Sequence, residues 1–150
     1  MKRSGGRISR PHGRRQSVAK SFANAYAGMA YSARTQRNVK IHLAAAALVL
    51  AASAIFRVSL VELAVLILCI VVVISVEMLN TALECAVDLV TTEYHPLAKT
   101  AKDVSAGAVF VASIGAAVVG GIIFLPKLGQ LLFGVLLPYI SEIIPVGKLI

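Results

Sequence analysis

Apolar and polar positions divide the chain into three parts. Residues 1–16 are rich in Gly and Arg, lack apolar periodicity and read as a disordered basic tail. From Ser17 to Ala33, Val18, Phe22, Ala25, Met29 and Ala33 recur at helical spacing with Tyr26 beside them, which predicts an amphipathic helix. Lys20 at one end and Arg34 and Arg37 beyond the other suit a helix lying on anionic lipid or packed on protein. Ile41 to Phe56 is Ala-rich and reads as a first membrane span, slightly short, with Lys40 and His42 placed to snorkel. Leu60 to Val90 is a second span. It is apolar from Leu63 to Val76 apart from Ser75, and then carries Glu77, Asn80, Thr81, Glu84 and Asp88. As a helix it runs about 45 Å, more than the roughly 30 Å of hydrocarbon, so its last turns leave the lipid. A connection from Thr91 to Pro96 leads to a third span, Val104 to Leu125, in which Ala108, Ala112, Ala116 and Gly120 form a ridge of small residues suited to close helix packing. Beyond it Pro126, Pro138 and Pro145 interrupt the apolar pattern, so residues 126–150 read as an interfacial tail and not as a fourth span. Residues 17–125 then form one all-α membrane domain.

Composition agrees. Hydrophobic residues make up 58% and charged residues 15% of the 150 positions, and mean hydropathy is +0.83. A soluble domain has about 25% charge, and disorder needs few apolar residues, so both classes are excluded. The formal net charge is +8. In a soluble protein such an excess points to nucleic acid; in a membrane protein it marks cytoplasmic segments, and no nucleic-acid partner is expected. Ten Lys/Arg precede the first span and Lys99 and Lys102 follow the second, against Arg57, Lys127 and Lys148 on the other side. That bias places the N-terminus in the cytoplasm, with three spans and the C-terminus outside. Cys69 and Cys85 lie about 24 Å apart on one helix and cannot pair. Arg14-Arg15 lacks the apolar core of an export signal, and the basic region before Ala52-Ser53-Ala54 is too long for a signal peptide.

Glu77, Asn80, Glu84 and Asp88 fall within an arc of about 80° on the second helix. Acids at such depth are costly and usually mark function. Lys102-Asp103 returns at the same depth on the third helix, and carboxylates, an ammonium and an amide at one interface can hold a metal and a polyphosphate. For Asp88 and Glu93 the simpler reading is a solvated helix end paired with Lys99, Lys102 or Arg34. Soluble-kinase phosphate loops are missing. An ion-relay subunit of a transporter or channel using Glu77, Glu84 and Asp88 is the main alternative, and a non-catalytic membrane partner a second. A relay favours acids spread across the bilayer, whereas these cluster at one end.

The string Glu77-x-x-Asn80-Thr81-Ala82-x-Glu84-x-x-x-Asp88, with Glu93-Tyr94-His95-Pro96-Leu97-Ala98-Lys99 and Ala101-Lys102-Asp103, resembles the small integral-membrane lipid kinases of bacteria, diacylglycerol kinase and its undecaprenol kinase branch. Arg37-Asn38, His42, His95-Pro96-Leu97 and Phe124-Leu125-Pro126-Lys127 look more like the undecaprenol branch, and the resemblance covers roughly residues 20–127. It implies a homotrimer of three spans and a surface helix per chain, with composite sites at the cytoplasmic interface. It implies MgATP as donor and a lipid alcohol as acceptor, undecaprenol before diacylglycerol. Glu77 would be the general base and Asn80 its polar neighbour. Glu84 would bind the metal, and Asn24, Gln36, Glu93, Tyr94, His95, Lys102 and Asp103 would contact the nucleotide. The chain departs from the pattern at Gln36, where the family usually has a metal-binding Glu. Gln36 offers the metal a carbonyl oxygen but no charge.

Overall fold

The computed structural model describes residues 17–143, with side-chain surroundings through residue 136. Four helices follow in order: α1 (Val18–Thr35), α2 (Arg37–Ile55), α3 (Leu60–Val90) and α4 (Pro96–Ile143). The described residues contain no strand. The tail 1–16 lies outside the described residues, as do 144–150.

Local chemistry sets the boundaries. Ser17 caps α1, its side chain accepting from the Lys20 N–H. Ser59 and Glu62 form a reciprocal capping box at the start of α3 (3.3 Å and 2.6 Å), which fixes that helix at the position its apolar run predicts. α2 ends in a left-handed turn: Arg57 has φ 48°, its N–H bonds to the Ala54 carbonyl (3.3 Å), and the Val58 N–H bonds to the Ser53 carbonyl (3.1 Å). That is a Schellman closure with arginine where glycine is usual.

Two expectations need correction. The helix of the third span, α4, begins at Pro96, eight residues before the span read from hydropathy, because a proline that cannot continue a helix is well suited to open one. Nor does it stop at Leu125. α4 continues through Pro126 and Pro138 to Ile143, about 72 Å in all, so much of the expected tail is an extension of the same helix. Pro126 removes one backbone donor, leaving the Ile122 carbonyl without its partner four residues on. Membrane helices tolerate such a break better than the propensities of soluble helices suggest.

Among the described residues, three helices are long and apolar enough to cross a membrane: Arg37–Ile55, Leu60–Val90 and Pro96–Leu136. α3 packs most extensively on α4 and next on α2, while α1 touches α2 and α3. α3 and α4 run antiparallel, joined at one end by Glu62–Lys127 (3.1 Å) and at the other by Asp88–Lys102 (2.6 Å). The two ion pairs are about 38 Å apart along the helices, which exceeds the hydrocarbon thickness and matches headgroup depth on either side. The interior is unlike a soluble core. Buried apolar residues are Val39, Leu66, Val73, Val109 and Ile123, and buried polar ones are Ser32, Ser53, Glu77, Asn80 and Thr81. The outward faces carry large apolar side chains, as a multi-pass membrane protein requires.

Candidate active site

The polar stripe of α3 faces α4 near the end carrying the loop Thr91–His95. Glu77 is 2% exposed, and its Oε2 is buried without a hydrogen-bond partner among the described residues. Its backbone carbonyl accepts from the Thr81 hydroxyl (3.1 Å). One turn on, the Asn80 amide donates through Nδ2 to Glu84 Oε1 (3.0 Å), and its Oδ1 lies against the Ser105 hydroxyl of α4. Ser105 Oγ also lies 3.0 Å from the Lys102 carbonyl, so its single proton serves one acceptor at a time. The amide orientation follows: only Nδ2 can donate to a carboxylate. Glu84 is left with one oxygen free of Asn80 and is partly exposed.

Beyond the stripe, a cavity of ≈ 400 Å³ opens between the end of α3, the loop and the start of α4. Its lining brings together Glu93, Tyr94, His95, Lys102 and Asp103. Asp88 and Lys99 line it too and hold the two cavity partners: Asp88 pairs with Lys102, and Lys99 pairs with Asp103. Asp88 thus takes the ion-paired role that was its simpler reading. His95 stands at the entry to α4, its Nδ1 accepting from the Leu97 N–H (3.2 Å). Nε2 is the ring nitrogen left free of that contact. At the start of α4 Pro96 has no N–H and the Leu97 N–H is taken by His95, so that end favours anions through the helix dipole more than through open amides. The lining side chains Lys99 and Lys102 against Asp88, Glu93 and Asp103 sum to one net negative charge. A polyphosphate therefore enters more readily with a divalent cation than without one.

Two sequence-predicted residues lie apart from the cavity lining. Asn24 is exposed on α1. Gln36 joins α1 to α2, half-buried, with no side-chain capping bond. No group of three or more His, Cys, Asp or Glu suited to a metal forms among the described residues. Sequence reasoning missed Ser105, and it named Lys99 as a partner for Asp88 or Glu93 where the structure pairs it with Asp103. Ser105 sits three positions past Lys102 on α4, and that spacing was the available signal.

The chain matches the family model described as prokaryotic diacylglycerol kinase over residues 23–124. It is 47% identical over 109 residues to the undecaprenol kinase of Bacillus subtilis, a match covering 73% of this chain and 89% of that protein. It is 46% identical over 113 residues to a diacylglycerol kinase of Synechocystis sp., covering 75% of this chain and 65% of that protein. These matches take in the acidic stripe and the cavity together, and they replace the ion-relay alternative with a lipid kinase. The chain belongs to the prokaryotic diacylglycerol kinase family.

Proposed function

We propose that this kinase transfers the terminal phosphoryl group of ATP to the hydroxyl of a membrane-dissolved alcohol, undecaprenol first and diacylglycerol second, at the cytoplasmic face of the cell membrane. The observation that carries this is Glu77: a buried carboxylate with one unpartnered oxygen, on the same helix face as Asn80 and Glu84. A primary alcohol is a poor nucleophile and needs a base where the lipid headgroup meets the protein. Glu77 accepts the hydroxyl proton as the oxygen attacks. Asn80, held by Ser105, keeps Glu84 oriented beside it.

The ≈ 400 Å³ cavity takes the nucleotide, with Lys102 and the start of α4 toward the phosphates and Glu93, Tyr94, His95 and Asp103 around it. Asn24 and Gln36 approach from α1 and its junction with α2. The donor set suits Mg²⁺, which is usually held by one or two carboxylates together with substrate phosphates, and Glu84 is the carboxylate this chain offers. The cation, once bound, neutralises charge developing on the phosphoryl oxygens. The functional unit is a homotrimer in which a neighbouring copy completes each site. α1, with Val18, Phe22, Tyr26 and Met29 exposed, lies on the membrane surface. The Lys/Arg bias puts the N-terminus, Glu84 and Lys102 on the ATP-bearing side.

Transfer of labelled phosphate from ATP, in mixed micelles containing undecaprenol or diacylglycerol in parallel, tests the reading. Label in undecaprenol exceeding that in diacylglycerol is expected. Equal or reversed labelling overturns the preference, and no lipid-dependent transfer overturns the reaction.

A further inference from the structure

Past Lys127, α4 runs on alone among the described residues. The Glu62–Lys127 pair joins α3 and α4 at headgroup depth, at the end opposite the nucleotide cavity. α4 then continues to Ile143, about 24 Å further. Neither neighbour accompanies it: α3 begins at Leu60, and Phe56, at the end of α2, meets Phe124 with ring centroids 5.9 Å apart. Residues 131–136 are exposed at every position, so no side of the helix is covered there. Leu128, Leu131, Leu132, Phe133, Val135 and Leu136 are all large apolar residues on this stretch. A straight extension would carry them into water, where an apolar surface of that extent is unfavourable.

The polar positions indicate what covers it. Lys127, Gln130, Gly134, Pro138 and Ser141 recur at spacings of three and four residues and fall within an arc of about 80°. Large apolar residues fill most of the remaining circumference, with Glu142 interrupting them in the last turn. A coiled seam with a second copy uses a narrow apolar stripe, two positions in seven. Leu131 and Phe133 are about 160° apart on the helix, so one seam cannot cover both. A lipid leaflet covers a broad apolar arc and leaves a narrow polar one to water. The apolar arc also continues the surface that α4 presents to lipid: Pro96–Leu136 is apolar enough to span, and Ile122 and Leu125 are exposed on it. Residues 128–141 carry no charge, so nothing directs them to a charged partner. Pro126 supplies a turning point, since it has no N–H and helices kink at proline.

We infer that α4 bends at Pro126 and that residues 127–143 lie along the lipid leaflet opposite the nucleotide cavity, with Gln130 and Gly134 toward water and Leu132 and Leu136 among the acyl chains just below the headgroups. The partner is the acyl-chain region of the bilayer. The match to the kinase family spans residues 23–124, so this surface lies beyond the part of the chain that the family shares. It fastens to lipid the end of α4 that Glu62 ties to α3.

The chain has no Trp, so single Trp variants of the full chain report on this segment. Leu132→Trp and Leu136→Trp lie one turn apart on the apolar arc. Gly134→Trp lies on the polar stripe, where an added Cβ meets nothing within 4 Å. Gln130→Trp replaces it should Gly134→Trp fail to fold. In phosphatidylcholine vesicles with brominated acyl chains, Leu132→Trp and Leu136→Trp should be quenched equally, and about two-fold or more than Gly134→Trp. Bromines near the ester end should quench them more than bromines near the methyl end. Acrylamide in the water should instead quench Gly134→Trp most. A straight helix would set positions 132 and 136 about 6 Å apart along its axis, so equal depth there, with Lys127 at the headgroups, requires the bend. Weak bromine and strong acrylamide quenching at all positions would mean a helix standing in water. Weak quenching by both would mean a helix packed on a second copy or another protein. Stronger quenching by methyl-end bromines would mean a helix plunging into the bilayer. Each of these three results overturns the inference. Phosphoryl transfer plays no part in the readings, so the kinase proposal stands or falls separately.

Discussion

Ser105 of α4 holds the side-chain carbonyl of Asn80 on α3, and this contact is what points the Asn80 amide at Glu84. Without it the amide can rotate, and a rotated amide sets its oxygen against a carboxylate. Ser105→Ala should therefore lower kcat about ten-fold, within the range of losses from misplaced groups, with little change in nucleotide affinity. Ser105→Thr, which keeps the hydroxyl, should recover most of it. Equal activity in the wild type and Ser105→Ala would show that the amide is held by other means.

Glu77 carries the base role. Glu77→Gln keeps the shape of the side chain and removes its capacity to take a proton. Turnover should fall about 10²-fold or more, while assembly and nucleotide binding persist. Near-normal turnover would remove Glu77 from the chemistry.

Much of this arrangement was legible in the sequence, and the gaps have physical causes. α3 was read at its observed bounds from its apolar run alone, and the structure shows the Ser59–Glu62 box setting its start at that point. The stripe was legible because helical periodicity puts Glu77, Asn80 and Glu84 on one face whatever surrounds the helix. The Asn80–Ser105 contact was not, since it joins two helices and depends on their register. The run of α4 through Pro126 was missed because proline was weighed by its cost in water, where a lost backbone bond and an exposed carbonyl end a helix.

Orientation can be read with single cysteines in a chain carrying Cys69→Ala and Cys85→Ala. Val58→Cys, in the turn between α2 and α3, should react with an impermeant maleimide added to intact cells. Thr92→Cys, beside the nucleotide cavity, should react only after permeabilisation. The opposite pattern would put the cavity on the side without ATP.

Arg57 occupies a left-handed conformation that costs a non-glycine residue about 1–2 kcal/mol. Arg57→Gly should relieve most of that, offset in part by the greater chain entropy glycine brings to the unfolded state, for a net gain of about 1 kcal/mol. Thermal unfolding in detergent should show a higher midpoint. A lower one would mean that the Arg57 side chain contributes more than its backbone costs.

Gln36 is where the chain leaves the pattern of the kinases it resembles, and its position makes it testable. It is the N-cap of α2, half-buried, with no capping bond to lose. A carboxylate there meets the positive end of a helix, so Gln36→Glu should fold at least as well as the wild type. A neutral amide holds Mg²⁺ more weakly than a carboxylate, because hard cations favour charged oxygen ligands. If Gln36 stands at the metal beside Glu84, the added charge should lower the Mg²⁺ concentration for half-maximal activity several-fold, where a factor of ten corresponds to about 1.4 kcal/mol. Glu84→Gln should move it the other way, and the double variant should fall between them. Mg²⁺ titrations at saturating ATP and lipid decide the matter. An unchanged or higher half-saturating concentration in Gln36→Glu would mean that Gln36 does not reach the metal.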